Sequence, residues 1–130
     1  MIALDTNLLV RLAVRDDAAQ LAKVSALLAS ETALILSSVL LETEWVLRAR
    51  YQLKPAEIAA FFGHVASSEG LEFENPAAAL AAIAAYAQGV GFADALHAAT
   101  ASQLDLVFYT FDAPLKRRAG RIKGARIQTP

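Results

Sequence analysis

The chain has 130 residues, 56% of them apolar, no cysteine, and a formal net charge of −1. That length fits one compact domain over residues 1–130 with a sizeable core. The missing cysteines exclude disulfide frameworks, thiolate zinc sites and cysteine nucleophiles. No run approaches the roughly 18 apolar residues of a membrane span. The opening MIALDTNLLV carries an acid and no basic leader, so a cytoplasmic protein with no membrane partner is expected. The near-neutral total hides an asymmetry: Lys116 to Pro130 hold half of the twelve Lys/Arg and none of the thirteen acids.

In chain order, IALD (2–5) reads as a short buried strand. Leu8, Leu9 and Leu12, then Leu21, Val24, Leu27 and Leu28, recur at helical spacing, and Asp16-Asp17 separates the two helices and caps the second. ALILS (33–37) is a second strand, after which Ser37 or Ser38 caps a helix to about Tyr51. Pro55 opens the next helix, at a first turn where a missing N–H costs nothing. Gly70 ends it, and LEFE (71–74) is predicted as an edge strand. Asn75-Pro76 starts an Ala-rich helix, Gly89 and Gly91 bracket a loop, and a helix follows over Ala93 to Gln103. DLVFYT (105–110) has the strongest β-propensity in the chain. A short helix from Pro114 and a weak strand ARIQT (125–129) finish it. Strands alternating with helices imply right-handed crossovers and a parallel sheet covered on both faces, an α/β domain.

Ligand sites of open α/β sheets lie outside the carboxyl ends of the strands. Asp5 ends the first predicted strand, Glu42 lies one turn into the helix after ALILS, Asp94 follows the Gly-Val-Gly-Phe loop, and Asp112 follows DLVFYT. Each has a plainer reading. Asp5 and Asp94 sit where helix caps sit, and Asp112 could shape the turn before Pro114. Glu42, among Leu40, Leu41 and Trp45, is read as an acid on an apolar helix face, costly unless paired or cation-bound. Glu44 is assigned to the surface or to a supporting position. Gathered carboxylates repel one another and a divalent cation relieves the repulsion. Oxygen donors without cysteine suit Mg²⁺ or Mn²⁺ and phosphodiester cleavage.

LDTN (4–7), LETEWVLRARY (41–51), FADALHAA (92–99) and TFD (110–112) together resemble the PIN-domain family, and within it the VapC-type toxins of toxin–antitoxin pairs. The resemblance implies a three-layer α/β/α domain with a central parallel sheet of about four to five strands. It implies a Mg²⁺/Mn²⁺-dependent endoribonuclease, held in check by a cognate antitoxin and commonly a homodimer. Its metal-binding and catalytic acids fall on Asp5, Glu42, Asp94 and Asp112, its polar helpers on Asn7 and Thr110, with Thr6 as a further candidate.

Arg11, Arg15, Lys116 and Arg117 are candidate contacts to RNA, with Arg48, Arg50, Arg118 and Arg121. No aromatic–basic interleaving of the RRM kind is present, so RNA binding is expected to rest on the cleft rather than on stacking. His97 is either a substrate contact or a hydrogen-bonded structural histidine. One of Phe61 and Phe62, with Ile58 and Val65, forms either part of a helix buried on two sides or an apolar patch for a second subunit or an antitoxin helix, and the resemblance favours the patch. Two competing functions are weighed. A haloacid-dehalogenase-type phosphatase needs an Asp where Asn7 stands. A catalytically inactive PIN-like scaffold would be expected to lack one of the four acids.

Overall fold

The computed structural model describes residues 1–130. Its internal contacts fall into two compact units, Met1–Glu74 and Asn75–Pro130.

The first unit runs β1 (Ile2–Ala3), α1 (Thr6–Val14), α2 (Ala18–Ser30), β2 (Ala33–Ile35), α3 (Ser37–Ala49), α4 (Pro55–Ser67) and β3 (Leu71–Phe73). The strands form one parallel sheet in the order β1-β2-β3. Ile2 pairs with Ala33, and Ala33 with Leu71. The predicted edge strand is therefore an edge strand. Local chemistry sets the helix starts. The Asp17 carboxylate accepts from Gln20 N–H at 3.0 Å and begins α2, and Pro55 occupies the first turn of α4. The start of α3 differs from the expectation, because neither Ser37 nor Ser38 caps it. Instead Glu74 Oε1 accepts the Ser37 N–H at 2.9 Å, a cap supplied from the far end of the unit. Leu9, Ile35, Leu40, Leu47, Ile58 and Phe62 are wholly buried. Each contributes about 1.5–3 kcal/mol relative to exposure.

The second unit runs α5 (Pro76–Ala87), α6 (Phe92–Gln103), β4 (Phe108–Tyr109), α7 (Ala113–Arg117), a single 3₁₀ turn at Ala119–Arg121, and β5 (Ile127–Gln128). Asn75 caps α5 through Ala78 N–H at 3.1 Å. Ala78, Ala79, Ala82 and Ala85 of α5, with Ala95, Ala98 and Ala99 of α6, are all buried. Side chains that small let the two helices approach closely. The Tyr86 and Phe92 rings meet edge to face at 5.3 Å. β4 and β5 pair in parallel, Phe108 with Ile127.

The α/β class and the parallel pairing agree with expectation, but the five strands divide into a three-stranded and a two-stranded sheet. The strand expected over DLVFYT is also shorter than predicted, since only Phe108 and Tyr109 are strand. Asp105 takes a left-handed conformation (φ 56°). Asp105 N–H bonds Ser102 O at 3.0 Å, and Leu106 N–H bonds Ala101 O at 2.9 Å. This is a Schellman ending of α6 with aspartate at the position usually held by glycine. It consumes the first half of the expected strand and leaves Leu106 and Val107 exposed.

The apolar patch expected on α4 is also corrected. Ile58, Phe62 and Val65 are buried, and only Phe61 is partly exposed, beside a groove of about 760 Å³ lined also by Leu12, Leu28 and His64. No helix is long and apolar enough to cross a membrane.

Candidate active site

Asp5 leaves β1 in an extended conformation and is the N-cap of α1, its Oδ1 accepting the Thr6 N–H at 2.8 Å. The plainer reading of Asp5 is thus correct, and it uses one carboxylate oxygen. Thr6 is buried, and its hydroxyl donates to Glu42 Oε1 on α3. One residue therefore links two candidate acids that are far apart in sequence. Asp5, Thr6, Asn7 and Glu42 line one pocket of about 360 Å³, whose other walls include Arg11, Trp45, Arg50 and Tyr51.

The burial expected of the two glutamates on α3 is reversed. Glu42 is exposed in the pocket, whereas Glu44 is buried and paired with Arg48 Nε at 2.7 Å. The signal was available: Leu40, Thr43, Glu44 and Leu47 follow i, i+3, i+4, i+7 and form the core stripe. Glu42, Trp45 and Val46 share the opposite spacing and face the pocket.

In the second unit Asp112 is the N-cap of α7, Oδ1 accepting from Leu115 N–H at 3.0 Å. The Asp112 N–H donates to Thr110 Oγ1 at 3.0 Å, so Thr110 orients the backbone of the acid rather than its carboxylate. Asp94 stands in the first turn of α6, where Gly91 is the N-cap, and its carboxylate makes no hydrogen bond or ion pair. The capping expected of Asp94 is therefore absent. A charge there is favoured by the helix dipole but unused by the fold.

The model of the PIN domain family matches residues 2–121, from β1 to beyond the last candidate acid. The chain belongs to the PIN domain family. Comparison with curated proteins and with solved structures finds no match. A PIN domain is a nuclease fold, and such domains generally bind RNA and use divalent metal.

The donor chemistry of this PIN domain fits such an ion. Asp5, Glu42 and Asp112 each spend one oxygen on the protein and keep one, Asp94 keeps both, and all are hard oxygen donors. No group of three or more His, Cys, Asp or Glu stands in metal-holding proximity; Asp5 and Glu42 share their pocket as a pair.

Among the candidate substrate contacts, Arg11 is already engaged, by Asp16 and by the Tyr51 hydroxyl. Arg15 closes α1 in a left-handed conformation and lines the α4 groove instead. Lys116 and Arg117 are exposed in the last turn of α7. Arg118 and Arg121 reach back to the carbonyls of Gly89 and Gln88 and so hold the α5–α6 turn. His97 is exposed, with its ring 6.3 Å from that of Phe108 and no hydrogen bond, which removes the structural-histidine reading. Asn7 lies in the pocket without a bond to either acid. Thr6, the further candidate, is the one that bonds an acid, Glu42.

Replacing Thr6 by Val keeps the shape and removes the hydroxyl. Because Glu42 is exposed and rehydrates, stability should fall by only about 1 kcal/mol, while nuclease activity falls about 10–100-fold, as for outer partners of metal ligands. Thr6→Ser should restore most of it. Parallel denaturation and cleavage assays of the two variants check this.

Proposed function

We propose that this PIN domain is a Mg²⁺- or Mn²⁺-dependent endoribonuclease, the toxin half of a VapBC-type pair that dimerises and is inhibited by a cognate antitoxin. The observation that carries the nuclease reading is the Asp5–Thr6–Glu42 link, which brings two family acids to one pocket with their second oxygens unspent. The toxin assignment rests on the motif resemblance over the matched residues. Asp5, Glu42, Asp94 and Asp112 would hold the ion. A divalent cation so held supplies Lewis-acid activation of water and relief of charge at the phosphodiester. The protein's own part is positional. The α1 cap fixes Asp5, the Thr6 hydroxyl fixes Glu42, and the α7 cap fixes Asp112. Asp94, free of internal bonds, is the acid most available to a ligand.

The alternative is a catalytically inactive PIN-like scaffold. One experiment separates the two. The purified protein, freed of any co-purified antitoxin, and its Asp94→Asn variant are incubated with a structured RNA in Mg²⁺ or in EDTA. Cleavage is expected only with Mg²⁺, and reduced more than about 100-fold in the variant, beyond the loss typical of outer-shell changes. No cleavage, together with no divalent-metal binding by calorimetry, would replace the nuclease with the scaffold.

A further inference from the structure

Resting on the ribonuclease reading, the geometry points to Trp45 as a stacking subsite for one unpaired nucleobase beside Asp5 and Glu42. Trp45 is the only tryptophan in the chain. It is 48% exposed, on the α3 face that carries Glu42 rather than on the core stripe. The fold therefore does not use its indole as core. Over the indole lies the Arg50 guanidinium, 5.6 Å from the ring centroid. Arg50 has no anionic partner, so its charge is available in a pocket that otherwise presents two carboxylates.

The neighbouring pair behaves differently. Arg11 lies 5.9 Å from the Tyr51 centroid, but it bonds the Tyr51 hydroxyl and so sits at the ring's edge, held also by Asp16. Arg11 and Tyr51 are a fixed wall, and Trp45 and Arg50 an adaptable one. A half-exposed indole with a guanidinium over one face, itself without an anionic partner, takes a base by stacking and its phosphate by charge. The volume of about 360 Å³ lies at the small end for ligand sites and suits a single nucleotide. A base inside a duplex has both faces covered, so only loops, bulges and single strands can use this site. Every base has a π-face, so Trp45 selects strand state and leaves base identity open.

The indole also provides the measurement. Its fluorescence is followed in EDTA, where cleavage does not interfere, as three probes are added. These are an oligouridylate of about ten nucleotides, the same strand annealed to oligoadenylate, and inorganic tripolyphosphate. Saturable quenching by the single strand alone is expected. Trp45→Ala should bind a fluorescein-labelled oligouridylate about tenfold more weakly, and Trp45→Phe should recover most of that loss. Circular dichroism establishes that both variants fold. Equal quenching by the duplex or by tripolyphosphate, or unchanged binding in Trp45→Ala, would overturn the subsite. RNA cleaved in Mg²⁺ by a protein whose indole is unquenched overturns stacking alone. Quenching with no cleavage in any metal and no divalent-metal binding by calorimetry supports the subsite and overturns the nuclease.

Discussion

Asp5→Asn is expected to reduce metal-dependent RNA cleavage by more than about 100-fold and to change stability by less than about 0.5 kcal/mol. The two effects separate because Asp5 does two jobs with two oxygens. Oδ1 caps α1 through the Thr6 N–H, and an asparagine side-chain carbonyl caps a helix as well as aspartate does. The second oxygen makes no bond within the protein, and there the substitution replaces half of a negative carboxylate by an amide. An amide neither attracts a divalent cation nor balances its charge. Asp5→Ala should lose activity equally and about 0.5–2 kcal/mol of stability besides. Cleavage of a structured RNA and chemical denaturation, run on parent and both variants, give the comparison. An Asp5→Asn protein that cleaves at the parent rate would remove Asp5 from the chemistry and leave it a cap.

Phe62→Ala should cost about 3–5 kcal/mol, a large part of the 5–15 kcal/mol that holds a domain of this size together. Phe62 is fully buried in the first unit with Ile58 and Leu47, so truncation leaves a void the packed helices fill only in part. Its neighbour Phe61 is partly exposed at a groove edge, and Phe61→Ala should cost well under half as much. Urea titrations of both variants decide it, by the shift of midpoint at unchanged slope. A Phe62→Ala loss below about 1 kcal/mol would return α4 to the interface role expected from its sequence.

What was legible in the sequence was local. Asp17, Asn75 and Asp112 act through residues three positions on, and Pro55 and Pro76 mark helix starts, so these boundaries could be read residue by residue. The order of strands and helices followed from the alternation of apolar runs. What was not legible depended on distant partners or on an unusual residue in a familiar place. The α3 cap comes from Glu74, 37 positions away, and no local pattern announces it. Asp105 conceals a Schellman turn that a glycine would have shown, so β-propensity extended the strand too far. Asp5 and Glu42, proposed from motif order, line one pocket. The reversal of Glu42 and Glu44 was an error of helical phase that the Leu40–Leu47 stripe corrects. The Trp45–Arg50 pair, five positions apart, was missed because only a stacking pattern of another family was sought.

The pocket that joins Asp5 to Trp45 is lined entirely by residues between positions 5 and 51. Synthesis at about 5–20 residues per second places Asp112 on the chain roughly 3–12 s after Tyr51. The surface proposed to grip RNA is thus made before Asp94 and Asp112, the other two acids proposed to hold the ion. A nascent chain carries that surface without both of these acids until Asp112 has been translated.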